Sequence, residues 1–112
     1  MDILFRSPRW EKECNDSRLL QRRQGPIRAK LIRRRLDEMA AADTLAVLRT
    51  LPQARCHELK GNRAGQLSVD LDGAYRLLFE VANNPRPKKP DGGLDWTRVT
   101  VVRILGIEDT HE

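Results

Sequence analysis

Hydrophobic and polar positions divide the chain into a helical half followed by a strand half. Ile3, Leu4 and Phe5 make a short apolar run stopped by Ser7-Pro8, which predicts a first strand. Trp10 to Asn15 fits a helical turn, and Asp16 or Ser17 can cap a further segment reaching Gln24. Gly25-Pro26 interrupts: glycine weakens a helix while proline suits a helix's first turn, so a new helix starts there and runs to about Ala42. Along it Ala29, Ile32, Leu36, Met39 and Ala40 recur at helical spacing as a buried stripe, with Lys30, Arg33 and Arg34 along another side. Thr44 opens a short helix through Arg49 that ends before Pro52.

Beyond Pro52 the period changes from helical to alternating. In the stretch from Arg55 to Val81, Leu67, Val69 and Leu71 alternate with polar residues, and Asp72-Gly73 joins them to a second run that contains Arg76. An Asp-Gly pair between alternating runs predicts a hairpin, because glycine accepts the positive φ of a tight turn. Asn83 to Asp95, with its prolines and glycines, predicts a long loop whose Arg86, Lys88 and Lys89 could touch nucleic acid. Thr97 to Leu105 is β-branched with apolar residues on both faces, as a central strand requires; Gly106 is expected to end it and leave GIEDTHE as a tail. The order β, α, α, β, β, β, β predicts a single α+β domain over residues 1–112. Its N-terminal helices pack on one face of a small twisted, mainly antiparallel β-sheet, and the other face is left for function.

Composition narrows the partners. The chain is 39% hydrophobic and 33% charged with both signs mixed, which suits a folded protein. Its net charge of +5 and pI near 9.8 suggest an anionic partner. The excess is local: Arg18 to Arg35 carries eight basic residues and no acidic one. No apolar run approaches the roughly 20 residues that cross a bilayer, and the N-terminus lacks the apolar core of a signal peptide, so a cytoplasmic protein with free Cys14 and Cys56 is expected. Cys14, Cys56, His57 and His111 have no regular ligand spacing; no metal, other cofactor or small-molecule ligand is expected.

The candidate chemistry is acid and base. His57 and His111 are the only histidines, and they can meet only if the final strand lies beside the hairpin. Two imidazoles titrating near neutrality can divide the removal of a proton from a ribose 2′-hydroxyl and the return of one to the leaving 5′-oxygen. Lys60, Arg63 and Arg76 would meet negative charge on the phosphoryl oxygens, and Glu108 or Asp109 could orient an imidazole. Each has a plainer alternative: an exposed terminal His111, a structural His57, or Arg76 paired with Glu80 or Asp70. Arg103 fits an ion pair or a phosphate contact equally.

Four segments occur together in order: Cys56-His57-Glu58-Leu59-Lys60-Gly61, Gly65-Gln66-Leu67-Ser68-Val69, Tyr75-Arg76-Leu77-Leu78-Phe79 and Glu108-Asp109-Thr110-His111. This set resembles the HigB-like, or plasmid-maintenance killer, branch of the RelE/ParE toxin superfamily. The resemblance implies a RelE-like fold and a type II toxin that cleaves messenger RNA on the ribosome without metal, neutralised by a HigA-like helix-turn-helix antitoxin. It also implies His57 and His111 as the acid/base pair, Lys60 and Arg76 on the phosphate and Asp109 in support. An RNA face would account for Arg63 and for the ridge Lys30, Arg33 and Arg34, which would contact ribosomal RNA. Three features depart from the family pattern: Thr110 replaces a tyrosine, Asp72 an often basic residue and Leu67 a common aromatic; the 83–95 loop is also longer than usual. Two other readings stay open, a non-catalytic RelE-like protein binding nucleic acid or antitoxin, and a ParE-like gyrase inhibitor.

Overall fold

Five strands form one mixed sheet in the computed structural model, which describes residues 1–110; His111 and Glu112 lie outside the described residues. The elements are β1 (Asp2–Phe5), α1 (Pro8–Cys14), α2 (Ser17–Gln24), α3 (Pro26–Ala41), α4 (Leu45–Arg49), β2 (His57–Glu58), β3 (Gln66–Asp70), β4 (Tyr75–Val81) and β5 (Val101–Asp109). Strand order is β1-β5-β4-β3-β2, an antiparallel meander with β1 added parallel to β5. The α+β arrangement expected from the sequence is therefore present, with four helices among the described residues.

Local chemistry sets the helix ends. The Ser7 hydroxyl accepts from Trp10 N–H at 3.2 Å ahead of Pro8, and Asp16 caps α2 by accepting from the amides of Arg18 and Leu19. Gly25, at φ 80°, turns the chain into Pro26 at the first position of α3. The buried arc of α3 comprises Ala29, Ile32, Arg35, Leu36 and Met39, so Ala40 is exposed, contrary to the expected stripe. At 100° per residue the arc is turned toward Arg35, which leaves Ala40 just past its opposite edge.

One face of the sheet meets these helices. The register pairs Leu67 with Phe79, Val69 with Leu77, and Phe79 with Ile104, and all are buried with Ile32, Leu36, Met39, Leu45 and Leu48. Each fully buried aliphatic or phenyl side chain contributes about 1.5–3 kcal/mol relative to exposure.

Arg35 joins the layers. Only 4% exposed, its guanidinium donates to Asp70 O (2.7 Å), Gln53 O (2.9 Å) and Glu38 Oε1 (2.9 Å). It belongs to the basic run 18–35 but is not a surface charge. Arg28 is committed in the same way. It forks onto Asp72 at 2.9 and 3.1 Å, and its Cζ lies 3.4 Å from the centroid of the Tyr75 ring. The tip it holds is the expected Asp-Gly turn, with Gly73 at φ 55° and Tyr75 N–H donating to Asp72 O at 3.0 Å.

Gly106 does not end the last strand. β5 begins at Val101, after a 3-10 turn at Trp96–Arg98, and continues through Gly106 to Asp109. Leu78 pairs with Gly106 but Phe79 pairs with Ile104, so Leu105 is an extra, bulged residue. Gly106 has φ 152°, and a Cβ there would stand 3.4 Å from Trp10 Nε1. Glycine here serves a bulge and a close approach, two reasons other than termination. The 83–95 loop is fastened at both ends: Asn83 Oδ1 accepts from the amides of Thr100 and Val101, and a bridge joins Lys88 to Leu94, which enters the core.

Three stability effects are expected. Gly106→Val should cost about 1–3 kcal/mol in urea unfolding, because a branched side chain is strained at that φ and meets the indole. Arg35→Met should cost about 3 kcal/mol by the same measurement, since two backbone carbonyls and Glu38 lose their donor. The Arg28 fork holds the Asp72 carboxyl below its ordinary value of 3.8, and the fork in turn raises Arg28. A depressed carboxylate contributes stability above its unfolded-state value and loses it as pH falls through the folded one. Asp72→Asn should therefore lower the urea midpoint at pH 7, with the difference from wild type shrinking once pH drops below about 4.

Candidate functional site

The face of the sheet away from the helices is organised in rows set by the register. His57 pairs with Ser68, Ser68 with Leu78 and Leu78 with Gly106, which gives one row crossing four strands. Three strand spacings separate its ends, about 14 Å. The next row is Asp70, Arg76 and Glu108; on the other side lie Gln66, Glu80 and Arg103.

His57 is exposed at the β2 edge, and its Nδ1 is 2.9 Å from Arg55 O. A carbonyl only accepts, so this bond puts a proton on Nδ1 and leaves Nε2 as the acceptor of the neutral ring. Arg55 presents that carbonyl from a left-handed conformation, φ 47°, which costs a non-glycine residue about 1–2 kcal/mol. Lys60 is exposed just before a 3-10 turn at Gly61–Arg63 and has no ion-pair partner among the described residues.

The other cations of this face are matched. Arg63 binds Glu108, and Arg103 pairs with Glu80 at 3.0 Å, which favours the ion-pair reading of Arg103. Arg76 donates to Gly73 O (3.0 Å) and Tyr75 O (2.9 Å), and its Nε stands 3.0 Å from Asp70 Oδ1. That last contact is an ion pair without the alignment of a hydrogen bond, because the buried Asp70 Oδ1 has no hydrogen-bond partner among the described residues. Ser68 Oγ, between His57 and Leu78 in their row, is likewise buried without a partner among the described residues.

The final strand does lie beside the hairpin, β5 being paired with β4. β3 and β4 separate it from β2, so Asp109 is not a neighbour of His57. Asp109 pairs with Tyr75, and it is Glu108 that shares the row of Arg76; the bulge at Leu105 shifts the alternation by one. His111 lies outside the described residues. The ridge of α3 is on the helix-covered side of the sheet, away from His57. There Lys30 and Arg34 are exposed, while Arg33 bonds Asp37 at 3.1 Å and Cys14 O at 3.0 Å.

The cysteines offer no nucleophile. Burial pushes the Cys14 thiol up to about 11, aided by Glu13, and the Cys56 thiol up to about 12. Among the described residues no group of three or more His, Cys, Asp or Glu side chains could hold a metal, and no helix is long and apolar enough to cross a membrane.

A part of the surface that the motifs do not signal adjoins the Gly106 end of the row. Arg6 donates to Leu105 O at 2.8 Å and lines a hollow of about 150 Å³ with Arg63, Leu78, Gly106 and Glu108. Arg6 also lines a larger cleft, about 700 Å³, with Arg9, Trp10 and Arg23. Its one sequence signal is the spacing of Arg6 and Arg9 around Trp10.

The family model for the HigB-like toxin, described as a RelE-like toxin of a type II toxin-antitoxin system, matches residues 13–87. No curated protein matches the chain. The matched residues run from the end of α1 through β4 into the long loop and include His57, Lys60, Arg63 and Arg76; β5 and the cleft residues Arg6 to Trp10 fall outside them. A match over more than half of the chain, spanning the helical layer and the hairpin, means that this protein belongs to the HigB-like toxins of type II toxin-antitoxin systems, a membership that implies an antitoxin partner.

Proposed function

We propose that the protein is a cytoplasmic, ribosome-dependent endoribonuclease that cleaves messenger RNA by metal-free acid/base attack of the ribose 2′-hydroxyl. The observation that carries this reading is the exposed His57, whose Nδ1 proton is held by Arg55 O so that Nε2 can accept a proton. His57 takes the 2′-hydroxyl proton and His111 returns one to the 5′-oxygen. Lys60, with no carboxylate partner among the described residues, meets the phosphate, and Arg76 adds a guanidinium in the adjoining row. Asp109, two residues from His111 in sequence, supports that imidazole and not His57. Arg63 joins this phosphate-facing surface, Lys30, Arg33 and Arg34 contact ribosomal RNA on the far side, and a HigA-like helix-turn-helix antitoxin neutralises the whole, which folds as one domain.

A second reading, a toxin relative that binds RNA or antitoxin without cutting, is favoured by Thr110. Its hydroxyl and amide both bond Ala74 O, at 2.7 and 2.9 Å, so it secures the hairpin tip where the family pattern has an aromatic ring.

Cleavage of a ribosome-bound message by purified protein tests the two. His57→Ala and His111→Ala should each lower the rate by at least about 100-fold, with the double variant no worse than the poorer single one if the pair acts as a unit. Full cleavage by either single variant would sink the paired mechanism, and no cleavage by wild type would favour the second reading.

A further inference from the structure

The geometry points to the cleft floored by Trp10, with Arg6, Arg9 and Arg23 around it, as a subsite that stacks an unpaired nucleotide of the RNA strand. This inference rests on the reading of the protein as an RNA-cleaving toxin and says where the strand lies beyond the cleaved bond.

Three observations converge. The first is continuity. Gly106 ends the row that begins at His57, and the indole of Trp10 lies against it, Nε1 being 3.4 Å from where a Cβ would be. Arg6 lines both the hollow over Leu78 and the cleft containing Trp10, so the two lie side by side with that side chain as their common wall. A strand crossing from His57 to Trp10 covers about 14 Å of sheet before it reaches the indole, a span of a few nucleotides.

The second is chemistry. Trp10 is half-buried, anchored against Gly106 and the core on one side and lining the cleft on the other. An indole held this way has little freedom left to lose when a base stacks on it, and stacking accepts any base. Around it stand three guanidiniums. Arg6 is spent on a backbone carbonyl, Arg9 has no ion-pair partner among the described residues, and Arg23 lies 3.6 Å from Glu13. Glu13 is 4% exposed and also accepts from Gln24 at 3.1 Å, so one nearly covered carboxylate faces three cations. The net positive charge is available to a phosphate.

The third is size. About 700 Å³ accommodates a nucleotide with water, whereas the 150 Å³ hollow beside it does not. The glycine also acquires a purpose: a Cβ at Gly106 would just touch the indole, and a side chain longer than alanine would crowd its seat between row and cleft.

The test uses the full chain carrying Trp96→Phe, which leaves Trp10 as the only tryptophan, and a short single-stranded RNA with 2′-O-methyl riboses that cannot be cleaved. Adding the RNA should quench Trp10 emission saturably. Trp10→Leu, followed by fluorescence anisotropy of labelled RNA, should weaken binding about tenfold, while Trp10→Phe should keep most of it. Because Trp10 also packs on the core, the exposed Arg9→Glu serves as a change that spares folding; it should weaken binding severalfold. In ribosomal cleavage, Trp10→Leu should raise KM and leave kcat nearly unchanged.

Absence of quenching, or RNA binding unaltered in Arg9→Glu, overturns the subsite. Equal quenching by a glutamate hexapeptide also overturns it, since the cleft would then read charge without a base. Wild-type cleavage measured alongside separates the two claims. Cleavage without Trp10 quenching removes the subsite and keeps the enzyme, and quenching without cleavage removes the enzyme and keeps the subsite.

Discussion

The buried guanidinium of Arg35 is the constraint on which the rest of the structure depends. A cation that is 4% exposed must have its donors satisfied, and the acceptors it finds come from three separate segments: Glu38 in α3, Gln53 ahead of β2, and Asp70 at the end of β3. The last two segments are also tied directly, Asp70 N–H donating to Ala54 O at 2.8 Å. The chain just before His57 is thus fixed to the neighbouring strand from above by the backbone and from below by α3. A two-residue edge strand such as β2 has little pairing of its own. Its position, and with it the direction of the His57 ring, is inherited from the helix layer.

Much of the architecture was legible because its causes are local. Asp16, Gly25-Pro26 and Asp72-Gly73 act on their own neighbours, so the ends of α2 and α3 and the hairpin tip could be read from short stretches of chain. Where the cause is distant, the reading failed. Gly106 looks like a strand terminator until Trp10 is seen against it, and nothing near position 106 mentions Trp10. Arg35 resembles Arg33 and Arg34 in composition, and only the carbonyls of Gln53 and Asp70 distinguish it. The candidate site divides in the same way: His57, Lys60 and Arg76 follow from their motifs, while the row that aligns His57 with Gly106 follows from pairing registers alone.

Basic residues have two uses in this molecule. Arg28, Arg35, Arg63, Arg76 and Arg103 each hold an acceptor in the fold, so the positive run along the sequence overstates the charge offered to a partner. What remains outward is sparser and better placed, with Lys60 at one end of the open face and Arg9 near the other. A face whose cations are already neutralised by Asp70, Glu80 and Glu108 attracts any polyanion weakly over its middle. Its uncompensated positive charge is left at the two ends, where the imidazole and the indole stand.

The bulge at Leu105 carries a different consequence. Strand alternation has period two, so one surplus residue exchanges the faces of everything that follows it: Glu108 joins the row of Arg76, and Asp109 the row of Tyr75. Loss of Leu105 itself would straighten the strand and keep these pairings, since Ile104 and Gly106 already face consecutive residues of β4. Loss of Ile107 instead, with Gly106 still opposite Leu78, would act as a parity switch, setting Asp109 opposite Arg76 and Glu108 opposite Leu77 and so exchanging which acid lies on the open face.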